Sequence, residues 1–219
     1  MSGRELRLAV DVSAKAATND NTDDNAIGVL GPLRVYFGRF RLFTRRDWLV
    51  YIAWVGLIAS LSVVSATFLA IGRRAGAIFP AHAYFVPIGA AIFALAIAVD
   101  TIGHRTVYKE YLRGGEGLVH HIIIGCGIGS CILLCAAYPT PSALQNPALV
   151  LTALSFIYSF VDEIMHWRRY LTAKSDVVEM WSHVFILIGH GMMMLGWWLW
   201  YFGGYQGVAV TLAALSAGG

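Results

Sequence analysis

The chain has 219 residues, 58% of them hydrophobic and only 13% charged, with a formal net charge of +3. A soluble domain carries about 25% charged residues, so this composition excludes one and predicts an integral membrane protein. The basic residues sit in particular loops, where they report topology and not nucleic-acid binding.

Residues 1–33 are polar and contain "ATNDNTDDN". Such a stretch buries too little apolar surface to order itself, so it reads as a disordered cytosolic tail without a cleavable signal peptide. Residues 34–46, "RVYFGRFRLFTRR", alternate arginine with aromatic side chains. That pattern suits a segment lying in the headgroup layer. The remainder, 47–219, reads as a transmembrane domain.

A spanning helix needs about 20 apolar residues. Five stretches qualify: Trp48–Ile71, Ala83–Ile102, Gly117–Tyr138, Pro147–Phe160 with an extension to His166, and Val177–Phe202. The apolar tail Gly207–Ala217 is too short to span. It is expected in the interface or packed on the bundle. The expected fold is therefore all-α, with about five transmembrane helices. Cys126, Cys131 and Cys135 all fall in one span. They form no metal-ligand or disulfide spacing and read as small packing residues. The Met192–Met194 run reads as packing, and the "GWW" at Gly196 as a packing glycine with belt tryptophans.

Loop charges set the orientation. The N-terminal region is arginine-rich, the second loop carries Arg105, Lys109 and Arg113, and the fourth carries Arg168, Arg169 and Lys174. The third loop, "PTPSALQNP", is uncharged, and only Arg73 and Arg74 oppose the pattern. Basic loops stay in the cytoplasm. The expectation is a multi-pass protein of the inner (plasma) membrane with a cytoplasmic N-terminus.

The chain also repeats itself. "VDTIGHRTVY" at Val99 aligns without a gap on "VDEIMHWRRY" at Val161, and "EGLVHHII" at Glu116 aligns on "EMWSHVFI" at Glu179. Each half is an apolar helix ending in D-x-x-x-H, a basic loop, and a return helix beginning E-x-x-x-H. Repeat 1 covers about 83–138 and repeat 2 about 147–202. Two tandem hairpins share one orientation, so the polar ends of a four-helix bundle meet on one side.

Residues four apart lie on one helix face. Asp100 with His104, Asp162 with His166, Glu116 with His120, and Glu179 with His183 thus form four polar columns, with Tyr108 and Tyr170 a turn further on. His121 and His190 are further candidates. Ionisable groups at membrane depth are costly and mark function. Carboxylate and imidazole together, without thiolate, suit iron, manganese, zinc or copper. Soluble four-helix di-iron proteins follow a related logic. Alternatively, each pair is an ion-paired helix end, with Arg105, Arg168 or Arg169 as partner.

The leading expectation is a membrane oxidoreductase with a dinuclear metal centre, iron first and copper second. It would activate oxygen to hydroxylate or desaturate a lipid-like substrate at the cytoplasmic membrane edge, with the bilayer and an electron-donor protein as partners. A metal-ion transporter is a further possibility. So is haem b held by His120 or His121 with His183 or His190.

The order D-x-x-x-H, loop, His, DE-x-x-H, loop, His also resembles the C subunit of copper membrane monooxygenases, the particulate methane and ammonia monooxygenases. "HRTVYKE" at His104 is similar to that family's H-Q-T-x-x-R-D stretch, and "HGMMMLGWW" at His190 to its stretch after the last motif histidine. The resemblance covers about half the chain, from Val99 onward. It implies that Asp100, His104 and either His120 or His121 occupy copper-site positions and that the chain works with partner subunits. The family's F-T-x-x-H and H-x-F-W-x-x-E-E signatures are absent here, and the family places its site toward the external side.

Overall fold

The computed structural model describes residues 30–106, 115–173 and 177–217. The polar tail up to residue 29, the loop residues Tyr108, Lys109, Arg113 and Lys174, and the side chain of Glu116 lie outside them. The described elements are helices: α1 (Leu30–Gly38), α2 (Arg45–Arg74), α3 (Phe85–Thr106), α4 (Glu116–Ala136), α5 (Pro141–Ala173), α6 (Val177–Phe202) and α7 (Val208–Ala217). Short 3₁₀ turns at Arg39–Leu42 and Ala81–Tyr84 precede α2 and α3. Helices α2 to α6 are each long and apolar enough to cross a membrane. This is an all-α membrane protein.

The start of α5 differs most from expectation. Helix α5 starts at Pro141, six residues before Pro147, because proline is well suited to the first turn, where no backbone N–H is needed. Pro147 then sits inside the helix and leaves one carbonyl without its intrahelical donor. The tail forms α7 and packs along α2, with Thr211 fully buried.

Local chemistry starts α2. Thr44 and Asp47 form a capping box: the Thr44 hydroxyl accepts from Asp47 N–H at 3.3 Å, and the Asp47 carboxylate accepts from Thr44 N–H at 2.9 Å. The other Asp47 oxygen lies 3.5 Å from Arg105, which ties the start of α2 to the end of α3. Around this start Phe40, Phe43, Trp48 and Tyr51 form one aromatic cluster, with ring centroids between 5.1 and 5.9 Å apart.

The four repeat helices pair across the hairpins. Helix α3 packs on α6, and α4 packs on α5. In the repeat, α3 corresponds to α5 and α4 to α6, so these are equivalent interfaces. Each outgoing helix lies against the return helix of the other hairpin. The α3–α6 crossing is the closest: a Cβ on Gly89 would come within 2.7 Å of the Gly189 carbonyl, and one on Gly189 within 2.9 Å of the Gly89 carbonyl. Without a hydrophobic drive between helices in lipid, such close backbone approach supplies the packing.

The core lies at the far end of α6. Met193, Met194, Trp197, Trp198, Trp200 and Tyr201 are buried there. The tryptophans are thus not a lipid-facing belt. They are covered because α6 sits at the centre of the bundle, and the indole N–H of Trp198 donates to the Thr152 hydroxyl at 3.1 Å. Tyr205 turns the chain into α7 with φ at +52°. A non-glycine residue adopts that conformation only when its surroundings hold it. Its phenol donates to the Leu134 carbonyl, and burial pushes its pKa above the ordinary tyrosine range.

Replacing Gly189 with Leu is expected to cost about 3 kcal/mol or more by forcing α3 and α6 apart. Gly191, where a Cβ meets nothing within 4 Å, should accept Leu within about 0.5 kcal/mol. Thermal unfolding of the two variants in detergent checks the difference.

Candidate metal centre

The polar columns converge. Asp100 and His104 sit at the end of α3, His120 in the first turns of α4, Asp162 and His166 toward the end of α5, and Glu179 and His183 at the start of α6. All are buried except His120, which is half-buried.

The contacts follow the repeat. Asp100 Oδ1 lies 3.0 Å from His183 Nε2, across the α3–α6 interface. Asp162 Oδ1 lies 3.0 Å from His120 Nε2, across the equivalent α5–α4 interface. Within its own helix, Asp100 is 3.5 Å from His104, and Asp162 is 3.5 Å from His166. Two equivalent pairs of distances agree, so the halves are related in geometry as well as in sequence. The imidazoles crowd together: His166 and His183 have centroids 3.6 Å apart, and His104 lies 5.4 Å from His120 and 5.6 Å from His166.

Neither Asp100 Oδ1 nor His183 Nε2 has a hydrogen-bond partner in aligned geometry, although they are 3.0 Å apart. Two ligands on one ion with bonds of about 2.0–2.2 Å stand about 3.0–3.5 Å from each other. Among the described residues, two sets of donor atoms lie close enough together to hold an ion: His104, His166, Glu179 and His183, and His120, Asp162 and His166. They share His166.

The halves are not identical. In the second, Glu163 Oε1 stands 3.4 Å from His183 Nδ1, where the first half has Thr101. Glu179 Oε1 stands 3.1 Å from His166 Nδ1 and accepts from Arg169 at 3.2 Å. His166 thus has one ring nitrogen against a carboxylate and the other toward the cluster. Carboxylates of this kind orient histidine ligands and fix their tautomer.

The remaining candidates divide. Of the adjacent histidines, His120 joins the cluster, while His121 is exposed and its Nδ1 contacts the Gly117 carbonyl of its own helix. His190 is buried outside both donor sets, stacked between Phe156 at 4.4 Å and Phe93 at 5.4 Å. Glu116 begins α4, but its side chain lies outside the described residues. Two of the arginines weighed as partners of the aspartates go elsewhere: Arg105 to Asp47 and Arg169 to Glu179. Glu163 was not among the expected site residues, and Arg169 was weighed only as a partner of the aspartates. The adjacency of Glu163 to Asp162 was its only sequence signal, because partners on different helices have no fixed spacing.

A cavity of about 520 Å³ ends on this cluster. Asp100, His104, His120, Asp162 and His183 form its polar end. The rest is walled by apolar side chains such as Leu57, Phe93, Ile124 and Ile128, and His190 lies along it. The volume falls within the range of small-molecule sites, about 300–1,000 Å³.

Comparison with protein-family models, with curated proteins and with solved structures gave no match for this chain.

His120→Ala and His121→Ala separate the two neighbours. The first is expected to lower metal affinity at least about tenfold and the second to leave it unchanged; Glu179→Gln should weaken it about 10- to 100-fold as the orienting carboxylate is lost. Metal-dependent shifts in unfolding temperature report all three, since an ion that binds only the folded state raises it.

Proposed function

We propose that the chain is a membrane-embedded, metal-dependent oxidoreductase with a dinuclear centre, iron first, that oxidises the hydrocarbon part of a lipid-like substrate. The observation that carries this reading is the meeting of a buried Asp/His cluster with the polar end of a long apolar cavity. Buried carboxylates must be compensated by cations. Ion-paired helix ends would need only one partner each, whereas Asp162 faces three imidazoles and lines a cavity.

One ion would be held by His104 and His183 with Asp100 between them, and the other by His120, Asp162 and the Nε2 of His166, whose Nδ1 stays against Glu179. When bound, they would supply one-electron redox chemistry and oxygen binding. The chain's own residues would fix the ligand geometry, exclude bulk water and hold the substrate chain beside the metals. In hydroxylation one atom of O₂ enters a C–H bond and the other leaves as water, using two electrons and two protons from an external donor protein. Desaturation would take two hydrogens from adjacent carbons and release two waters for the same input.

The orientation follows from charge. Arg45, Arg46, Arg105, Arg168 and Arg169 belong to the cluster end of the helices, and Arg73 and Arg74 to the opposite end of α2. By the positive-inside rule the cluster lies at the cytoplasmic edge of the inner membrane, with a cytoplasmic N-terminus. There a soluble electron donor can reach it.

A second reading is a copper-binding C-type subunit of a membrane monooxygenase. It is favoured by the approach of Asp100, His104 and His120, residues the resemblance pairs with copper.

Elemental analysis of the purified protein decides between them. The expected result is two irons per chain, lost in Asp100→Ala and Asp162→Ala, with oxygen-dependent modification of membrane lipid chains in cells expressing the wild type. Stoichiometric copper with no iron would favour the subunit reading. Metal content unchanged by both substitutions would contradict the centre itself.

A further inference from the structure

The cavity says more about the substrate than that it is apolar. Its lining on α4 runs from His120 to Ile132, twelve residues and therefore about 18 Å of helix. On α6 it runs from His183 to Met193, about 15 Å. A volume of about 520 Å³ spread over that length makes a slot and not a chamber. The slot starts at the polar membrane edge and points toward the bilayer middle.

One wall of the slot is open. Helices α2 and α4 both line it, but each packs mainly elsewhere, α2 on α3 and α7 and α4 on α5. Leu57 and Val64 on α2, and Ile128 and Ile132 on α4, line the slot and keep much of their surface accessible. In a bilayer, an opening between α2 and α4 would face lipid and admit a hydrocarbon chain from the side.

The polar end has a cation beside it. Arg105 lines the slot next to His104, and its guanidinium makes one 3.5 Å contact with Asp47, leaving donors for a second anion. A guanidinium is the side chain best suited to carboxylate or phosphate.

We propose that the slot binds a single unbranched alkyl chain carrying an anionic head, loaded sideways between α2 and α4, with the head at Arg105 and the chain running inward past Ile124 and Ile128. The carbons next to the head then lie beside the cluster, and the methyl end lies deepest. This rests on reading the cluster as the metal centre, but the binding itself needs no metal. A free carboxylate and a lipid phosphate share the required chemistry.

The test uses full-length protein in detergent, stripped with a chelator, and measures binding of four probes: eighteen-carbon and eight-carbon carboxylates, an eighteen-carbon single-chain phosphate, and the eighteen-carbon alcohol. Wild type should bind both long anions at least about tenfold tighter than the alcohol. The tighter of the two anions identifies the head group. Ile128→Trp fills the slot two turns beyond His120. It should weaken the long chains at least about tenfold and leave the eight-carbon carboxylate unchanged. Arg105→Gln should remove the preference for anions while keeping alcohol binding, which also shows that the variant is folded. Equal binding of alcohol and anions by wild type, or long-chain binding indifferent to Ile128→Trp, overturns the proposal. Chain binding by a protein that holds no metal would sustain it while refuting the metal-centre reading. A metal-loaded protein that binds none of the probes would do the reverse.

Discussion

Two cross-hairpin contacts organise this molecule: Asp100 with His183 and Asp162 with His120, each at 3.0 Å. Each joins an outgoing helix of one half to the return helix of the other. The carboxylates are buried, so they cannot be left alone in a low-dielectric interior. Whatever compensates them must sit where the four helices meet. Burial of the histidines beside the carboxylates follows from that requirement.

The packing around these contacts is uneven. Gly89 and Gly189 bring α3 and α6 into backbone contact, and α4 lies along α5. The hairpin partners α3 and α4, in contrast, pack mainly on other helices, meet at the cluster through His104 and His120, and both line the cavity. A fully closed bundle would bury more surface and bind nothing. Here α2 partly covers the gap from outside, fixed at the cluster end by Asp47 and Arg105 and near its other end by α7. The duplication supplies two similar half-sites, and the differences between them, Glu163, Glu179 and Arg169 on one side, make the two halves chemically unequal.

Much of this was legible in the sequence because membrane constraints are strong. The five apolar runs specify the spans, since backbone groups in lipid must be satisfied within a helix. The repeat specifies that two D-x-x-x-H motifs lie at one end. Choosing His120 over His121 needed the helix phase, since adjacent residues point about 100° apart. The position of His190 between two phenyl rings was not readable, because Phe93 and Phe156 come from other helices. Neither was the pairing of hairpins. Tandem hairpins can pack internally or across, and only the close approach at Gly89 and Gly189 selects the second. The start of α5 was missed because "PTPSALQNP" carries loop residues that also suit a first helical turn.

The account rests on one claim: the columns close on a pair of metal ions and not merely on one another. X-ray absorption at the metal edge of the purified protein tests it most directly. The account predicts a first shell of nitrogen and oxygen only, at about 2.0–2.2 Å, and a second metal at about 3.5–4 Å. A sulfur shell, an isolated metal without a metal neighbour, or no stoichiometric metal at all would contradict it.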